Sequence, residues 1–184
     1  MSNTELGLAL LKIARQAIGK ELGVACDVPA AALALPELQQ PGATFVTLTL
    51  DGELRGCIGT LQAHRPLIDD VRANALAAAF LDSRFQPLTR DEFDAVRVEV
   101  SLLAAPQPMS FAGEADALAQ LRPNIDGVIL ESGLHRATFL PQVWESLPDP
   151  HQFMAHLKRK AGLPADYWSA DIQLSRYEVT KWKE

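Results

Sequence analysis

Two runs of residues, TFVTLTL (44–50) and ELRGCIGTL (53–61), flank the dipeptide Asp51-Gly52. Aspartate-glycine between alternating apolar runs is a strong short-range hairpin signal. It constrains this chain most because it fixes an antiparallel pair and, through the register, which residues face the core. A two-residue turn would set Leu48 against Arg55 and Val46 against Cys57, putting a guanidinium on the apolar stripe of Val46, Leu48 and Leu50. Grouping Leu54, Gly56 and Ile58 with that stripe instead needs a three-residue loop or a bulge, for which Gly52 is suited. Burial of one face specifies register more strongly than a turn dipeptide. The sequence therefore predicts the second arrangement, with Arg55 and Cys57 sharing the opposite face with Thr47 and Thr49.

The rest of the chain supplies elements to pack against this hairpin. Leu6, Leu10, Ile13, Ala17 and Ile18 recur at helical spacing, so 4–22 reads as an amphipathic helix, and 27–43 as a packed connector. Pro66 opens a helix to about Leu81, and TRDE (89–92) is a capping box for a short helix. Val96, Val98, Val100 and Leu102 form one face of a strand, and 114–121 is a short helix. GVILE and LHRATFL, joined by Ser132-Gly133, read as a second hairpin. Asp149 and Pro150 start a helix that Gly162 and Pro164 close, and 171–179 is a late strand joining the sheet. The strands and helices do not alternate regularly and the hairpins are antiparallel. That favours an α+β fold over a doubly wound parallel sheet, in a single domain spanning 1–184.

Charge and motif content remove several classes of function. The net charge of −6 disfavours general nucleic-acid binding, since an acidic surface repels phosphates. Trp144, Trp168 and Trp182 are not interleaved with basic residues as a base-stacking platform would be, and Lys158, Arg159 and Lys160 are explained by a helix C-terminus. There is no P-loop and no G-x-G-x-x-G run, so no nucleotide cofactor is expected. Two cysteines make no disulfide framework, and neither C-x-x-C nor H-x-H spacing occurs, so no metal site is expected. His135 falls on the second hairpin, and His151 and His156 point to different helix faces. The first 22 residues lack the features of a signal peptide, and charges interrupt every apolar run short of a membrane span. These features predict a reduced, cytoplasmic, soluble protein.

Candidate chemistry centres on Cys57. A neighbouring cation such as Arg55 favours a thiolate, and Gly56 and Gly59 leave room for a ligand or another backbone to approach. Cysteine is equally a small hydrophobe that fills tight strands. Arg84, in DSRF (82–85), either reaches a substrate carboxylate or phosphate as a fork of donors or makes a structural salt bridge. Glu99 serves as a general base, or orients Arg55, if its strand lies beside the hairpin; otherwise it is one of a charged pair on an exposed strand face. His64 would complete a Cys–His pair if the loop folds back, and is otherwise a solvated loop histidine. Thr60 lends a hydroxyl or caps the turn after the glycines.

The segments LRGCIGTL (54–61), DSRFQPLTRDE (82–92), VSLL (100–103), DGVIL (126–130), ATFLPQV (137–143) and LKRKAGLP (157–164) occur in this order. Together they resemble the AMMECR domain family, whose bacterial members are called AmmeMemoRadiSam system protein A. The resemblance spans nearly the whole chain. It implies an α+β fold with a larger mixed lobe and a smaller one, a functional site at 54–59, and association with a Memo-like protein and a radical SAM protein. It carries no settled reaction. Three functions follow as expectations: an enzyme using Cys57 on a small anionic substrate, a protein-binding module, and a regulator linked to nucleic acid.

Overall fold

The hairpin forms as β1 (Ala43–Leu50) and β2 (Glu53–Gly59). Asp51 and Gly52 both take positive φ, 52° and 85°, and Leu50 pairs with Glu53, so the loop has two residues. The register then shifts between Leu48 and Thr49: Leu48 pairs with Gly56, but Thr49 pairs with Leu54. Arg55 is the extra residue of a bulge. The turn dipeptide and the apolar pattern conflict in a regular ladder, and the bulge satisfies both. Energetically the choice is one-sided, because Val46 and Leu48 are fully buried at about 1.5–3 kcal/mol each. A disturbed ladder bond costs about 1 kcal/mol. One expectation is corrected. Leu54 lies on the turn side of the bulge, opposite Thr49, and is 42% exposed rather than part of the apolar stripe.

The structure is a computed structural model that describes residues 3–184. It divides into two compact units, the first running through Leu103 and including Thr180–Glu184, the second Ala104–Val179. In the first unit, β3 (Arg97–Leu103) pairs with β1, and β8 (Val179–Lys183) lies beside β3, giving the order β2-β1-β3-β8. One face of this sheet is covered by α1 (Asn3–Glu21) and α3 (Leu67–Phe80). Leu10, Ile13 and Ile18 of α1 meet Val71 and Ala75 of α3 and Val46, Leu48, Val98 and Val100 of the strands. The predicted connector holds the short α2 (Ala30–Leu33) and a 3-10 turn, Pro36–Gln39, that buries Leu38. The expected helix at 89–92 is a turn instead. Glu92 does accept from the backbone N–H of Thr89, as in a capping box, but its carboxylate is also drawn to Arg55.

The second unit contains β4 (Gln107–Pro108), α4 (Glu114–Gln120), β5 (Gly127–Ser132), β6 (His135–Phe139), α5 (Pro150–Lys160) and β7 (Gln173–Tyr177). Its sheet has the order β4-β7-β5-β6. Trp144 and Phe153 stack at 3.7 Å in its core. Asp149 caps α5 by accepting from the N–H of His151. The sequence suggests one sheet and one late strand; there are two antiparallel sheets. The run 171–179 breaks at Glu178, so β7 runs between β4 and β5 in the second sheet and β8 completes the first. Among the described residues, no helix is long and apolar enough to cross a membrane.

Candidate functional site

β2 is an edge strand, so the outward N–H and C=O of Cys57 lack a neighbouring strand. Two side chains of the DSRF segment take its place. Asp82 Oδ2 accepts the Cys57 N–H at 2.9 Å, and Arg84 Nη2 donates to the Cys57 carbonyl at 3.2 Å. Arg84 in turn grips Asp82 through Nε at 2.9 Å and Nη2 at 2.7 Å. Asp82 follows the end of α3, and its Oδ1 accepts the Arg84 backbone N–H at 3.2 Å, which holds the segment in a tight turn. The guanidinium of Arg84 and the N–H of Cys57 hold the Asp82 carboxyl well below the usual range, against the effect of burial. Hydrogen bonding to Asp82 likewise keeps Arg84 above the ordinary arginine value, with the Cys57 side chain a minor electrostatic contributor. Arg84 keeps 55% of its side chain exposed, so a fixed cation stands beside the cysteine and faces solvent.

The thiol lies on the sheet face opposite the helices. Cys57 is half-buried, and its Sγ is 3.4 Å from Thr47 Oγ1. Thr47 pairs with Cys57 on one side and Glu99 on the other, so the three form a row across β2, β1 and β3. At about 4.8 Å per strand, Glu99 stands roughly 10 Å from Cys57, beyond direct proton transfer. Its Oε1 lies 3.9 Å from Lys181 Nζ on β8. Arg97, exposed on β3, has the same parity as Glu99, and Lys183 on β8 the same parity as Lys181, so this face carries three cations and one acid on an acidic chain.

The remaining predicted residues serve the frame around this row. Arg55 is only 14% exposed and is tied to Glu92 at 2.9 and 3.1 Å and to the carbonyls of Gln86 and Pro87. Its hydrogen bond pulls the Glu92 carboxyl down to about 2, with help from the N–H and hydroxyl of Thr89. The open side of Gly56 is filled by the chain itself: a Cβ there would stand 2.1 Å from the carbonyl oxygen of Ala78 in α3. At Gly59 the Phe45 ring occupies the space, 2.2–2.5 Å from where a Cβ would be. His64 is exposed, with Nδ1 3.0 Å from the Gln62 carbonyl, so its contact is within its own loop. Among the described residues, no three His, Cys, Asp or Glu side chains cluster as metal ligands.

Thr60 belongs to a buried network that sequence reasoning missed. Asp70 Oδ1 accepts from the Thr60 hydroxyl at 2.8 Å and from Arg65 Nε at 2.9 Å. Its Oδ2 accepts from the N–H and hydroxyl of Thr44, both at 2.8 Å, and from Asn74 at 3.0 Å. Five donors satisfy one fully buried carboxylate, which pins the far end of the hairpin to the first turns of α3. The signal was present: Asp70 and Asn74 stand four apart beside Val71, Ala75 and Ala78, so polar groups share the core side of the helix.

The AMMECR1 family model matches residues 11–182. The chain belongs to the AMMECR1 family. A protein of Methanothermobacter thermautotrophicus is 36% identical over 97% of this chain and 94% of its own length. One from Aeropyrum pernix is 38% identical over 97% of this chain and 78% of its own. The crystal structure of Uncharacterized Protein PH0010 from Pyrococcus horikoshii is 32% identical, with a TM-score of 0.78, covering 98% of this chain and 92% of that one. The family relation and the α+β fold expected from the ordered segments therefore both hold.

Proposed function

We propose that this AMMECR1-family chain is an enzyme that uses the Cys57 thiol on a small anionic substrate. The observation that supports this reading is the pairing of a half-buried thiol with a half-exposed arginine whose position is fixed by Asp82. Arg84 is pre-organised, since its Asp82-facing edge is held while the rest meets solvent. A bound carboxylate or phosphate would gain charge-assisted hydrogen bonds there without ordering the side chain anew. Cys57 then acts as nucleophile beside that guanidinium, with the Thr47 hydroxyl 3.4 Å from its Sγ. Glu99 at the far end of the row and Lys181 beyond it present polar groups to the distal part of the substrate. Alkylation by iodoacetamide tests the reading. In the native protein Cys57 reacts, the rate falls several-fold in Arg84→Ala, and added salt weakens the difference. A Cys57 that is unreactive until the protein unfolds sinks the proposal.

A second reading is a non-catalytic binding module working with Memo-like and radical SAM proteins of the AmmeMemoRadiSam system. It is favoured by the contact of the sulfur, which is a hydroxyl rather than a base. Under this reading Cys57→Ala keeps partner binding in a pull-down and Arg84→Ala weakens it.

A further inference from the structure

The second unit holds a cleft of about 380 Å³, lined by Gln107, Arg122, Arg176, Tyr177 and Glu178 together with Ala104 and Ala105. Behind its arginines stands Asp126, which is fully buried. Its carboxylate receives Arg122 through Nε at 3.1 Å and Nη2 at 2.6 Å, and the Arg122 backbone N–H at 2.9 Å. Arg176 Nη1 lies 3.9 Å from the other oxygen and donates to the Gln120 carbonyl at 3.0 Å. The Asp126 carbonyl is itself fixed by the indole N–H of Trp144 at 2.7 Å. One buried carboxylate thus binds the Arg122 guanidinium directly and lies 3.9 Å from that of Arg176, which the Gln120 carbonyl holds.

Their remaining donors are available. Among the described residues, Arg122 Nη1 and Arg176 Nε and Nη2 have no hydrogen-bond partner. The outer edge of Arg122 already shows what it binds. Glu178 Oε1 sits on Arg122 Nη2 at 2.8 Å with 58% of its side chain exposed. That pair is surface-exposed and therefore weak. A carboxylate arriving from solvent would replace it and gain the second guanidinium as well.

We propose that this cleft binds a small carboxylate ligand on the paired guanidinium groups of Arg122 and Arg176, with Glu178 occupying the position when no ligand is bound. The site lies wholly in the second unit and does not depend on the reading of Cys57. Asp126 neutralises one of the two cations, so the cleft suits a ligand with one or two carboxylates rather than a polyanion.

Titration calorimetry of the full chain with succinate at low ionic strength tests this. Saturable binding is expected. Glu178→Gln removes the competing carboxylate and tightens binding by up to about fivefold. Arg176→Ala weakens it at least tenfold, on the order of a charge-assisted hydrogen bond. Arg176→Lys keeps the charge but loses the fork, and also weakens binding, which covers the case in which the alanine variant fails to fold. The proposal is overturned if neither the parent nor Glu178→Gln binds succinate saturably, or if Arg176→Lys binds it unchanged. Inorganic phosphate binding more tightly than succinate would overturn the carboxylate assignment.

Discussion

Replacing Gly56 by alanine separates two explanations of the glycines around Cys57. If Gly56 keeps a path open for a ligand, alanine leaves the fold intact. A less flexible unfolded chain would even add about 0.4–1 kcal/mol of stability. The structure dictates the opposite sign. The new Cβ would lie 2.1 Å from the Ala78 carbonyl oxygen, whereas ordinary contact begins at 3.4 Å, so helix or strand must retreat by about 1.3 Å. Both sides of the clash are backbone in packed elements, with Ala78 and Val46 buried, so no rotamer relieves it. Overpacking of this kind costs about 1–3 kcal/mol, and the absence of a flexible partner places Gly56→Ala near 3. For a chain of this size that is a fall in the unfolding midpoint of about 6–12 °C. Gly59→Ala is the internal comparison, because its obstruction is the Phe45 side chain, nearest at Cγ, which can swing away about its Cα–Cβ bond as backbone cannot. It should cost about 1 kcal/mol and become harmless in a Phe45→Ala background, while the cost of Gly56→Ala persists there. Thermal and urea unfolding followed by circular dichroism measure both. A Gly56→Ala protein as stable as the parent refutes the packing argument.

Further outcomes follow from the ion pairs. The Glu92 carboxyl sits near 2 in the folded protein against an ordinary 4.5, so the unfolded chain binds protons first. Its contribution of about 2–3 kcal/mol is fully present above pH 4.5 and is lost as pH falls towards 2. Glu92→Gln should remove that part of the acid dependence in urea titrations between pH 5 and 2.5; an unchanged slope argues against the Arg55 pairing. In the second unit, Lys158 is almost fully buried beside Glu114 and over the Trp168 ring. Lys158→Met should be nearly neutral, whereas Glu114→Gln strands a buried cation and should cost about 3 kcal/mol in the same assay. Equal effects of the two substitutions would contradict this account. Asp70→Asn leaves donors facing donors in the Thr44–Thr60–Asn74 network, and a loss of at least 2 kcal/mol is expected.

The hairpin was legible because local signals agree with burial there. Alternation marked Val46 and Leu48 for the core, Asp51-Gly52 marked the turn, and their conflict already implied an irregularity, although not that Arg55 would absorb it. Placing Glu99 on the thiol face needed only strand parity. What escaped were relations between distant segments. Nothing in DSRF shows that Asp82 will reach the edge of β2, because that depends on where α3 ends in space. Nor does the alternation of 171–179 pause at Glu178, so the change of sheet leaves no local mark. The sequence left Gly56 open to a ligand or to another backbone, and set Arg55 beside the thiol without showing what would hold its guanidinium. Here other parts of the chain, Glu92 and the Ala78 carbonyl, meet them first.

The position of β8 bears on how the molecule is assembled. The last strand of the first sheet is separated from its partner β3 by the entire second unit, yet where that unit begins and ends, Ala104 and Glu178 are joined by a hydrogen bond of 2.9 Å. The second unit is therefore an insertion in a β-hairpin, able to gather its own core from residues close in sequence. The first unit must wait for that insertion to be synthesised before Trp182 can settle over Gly7. During translation an unfinished sheet would leave the outer edge of β3 bare, and that interval is when the nascent chain is most exposed to aggregation.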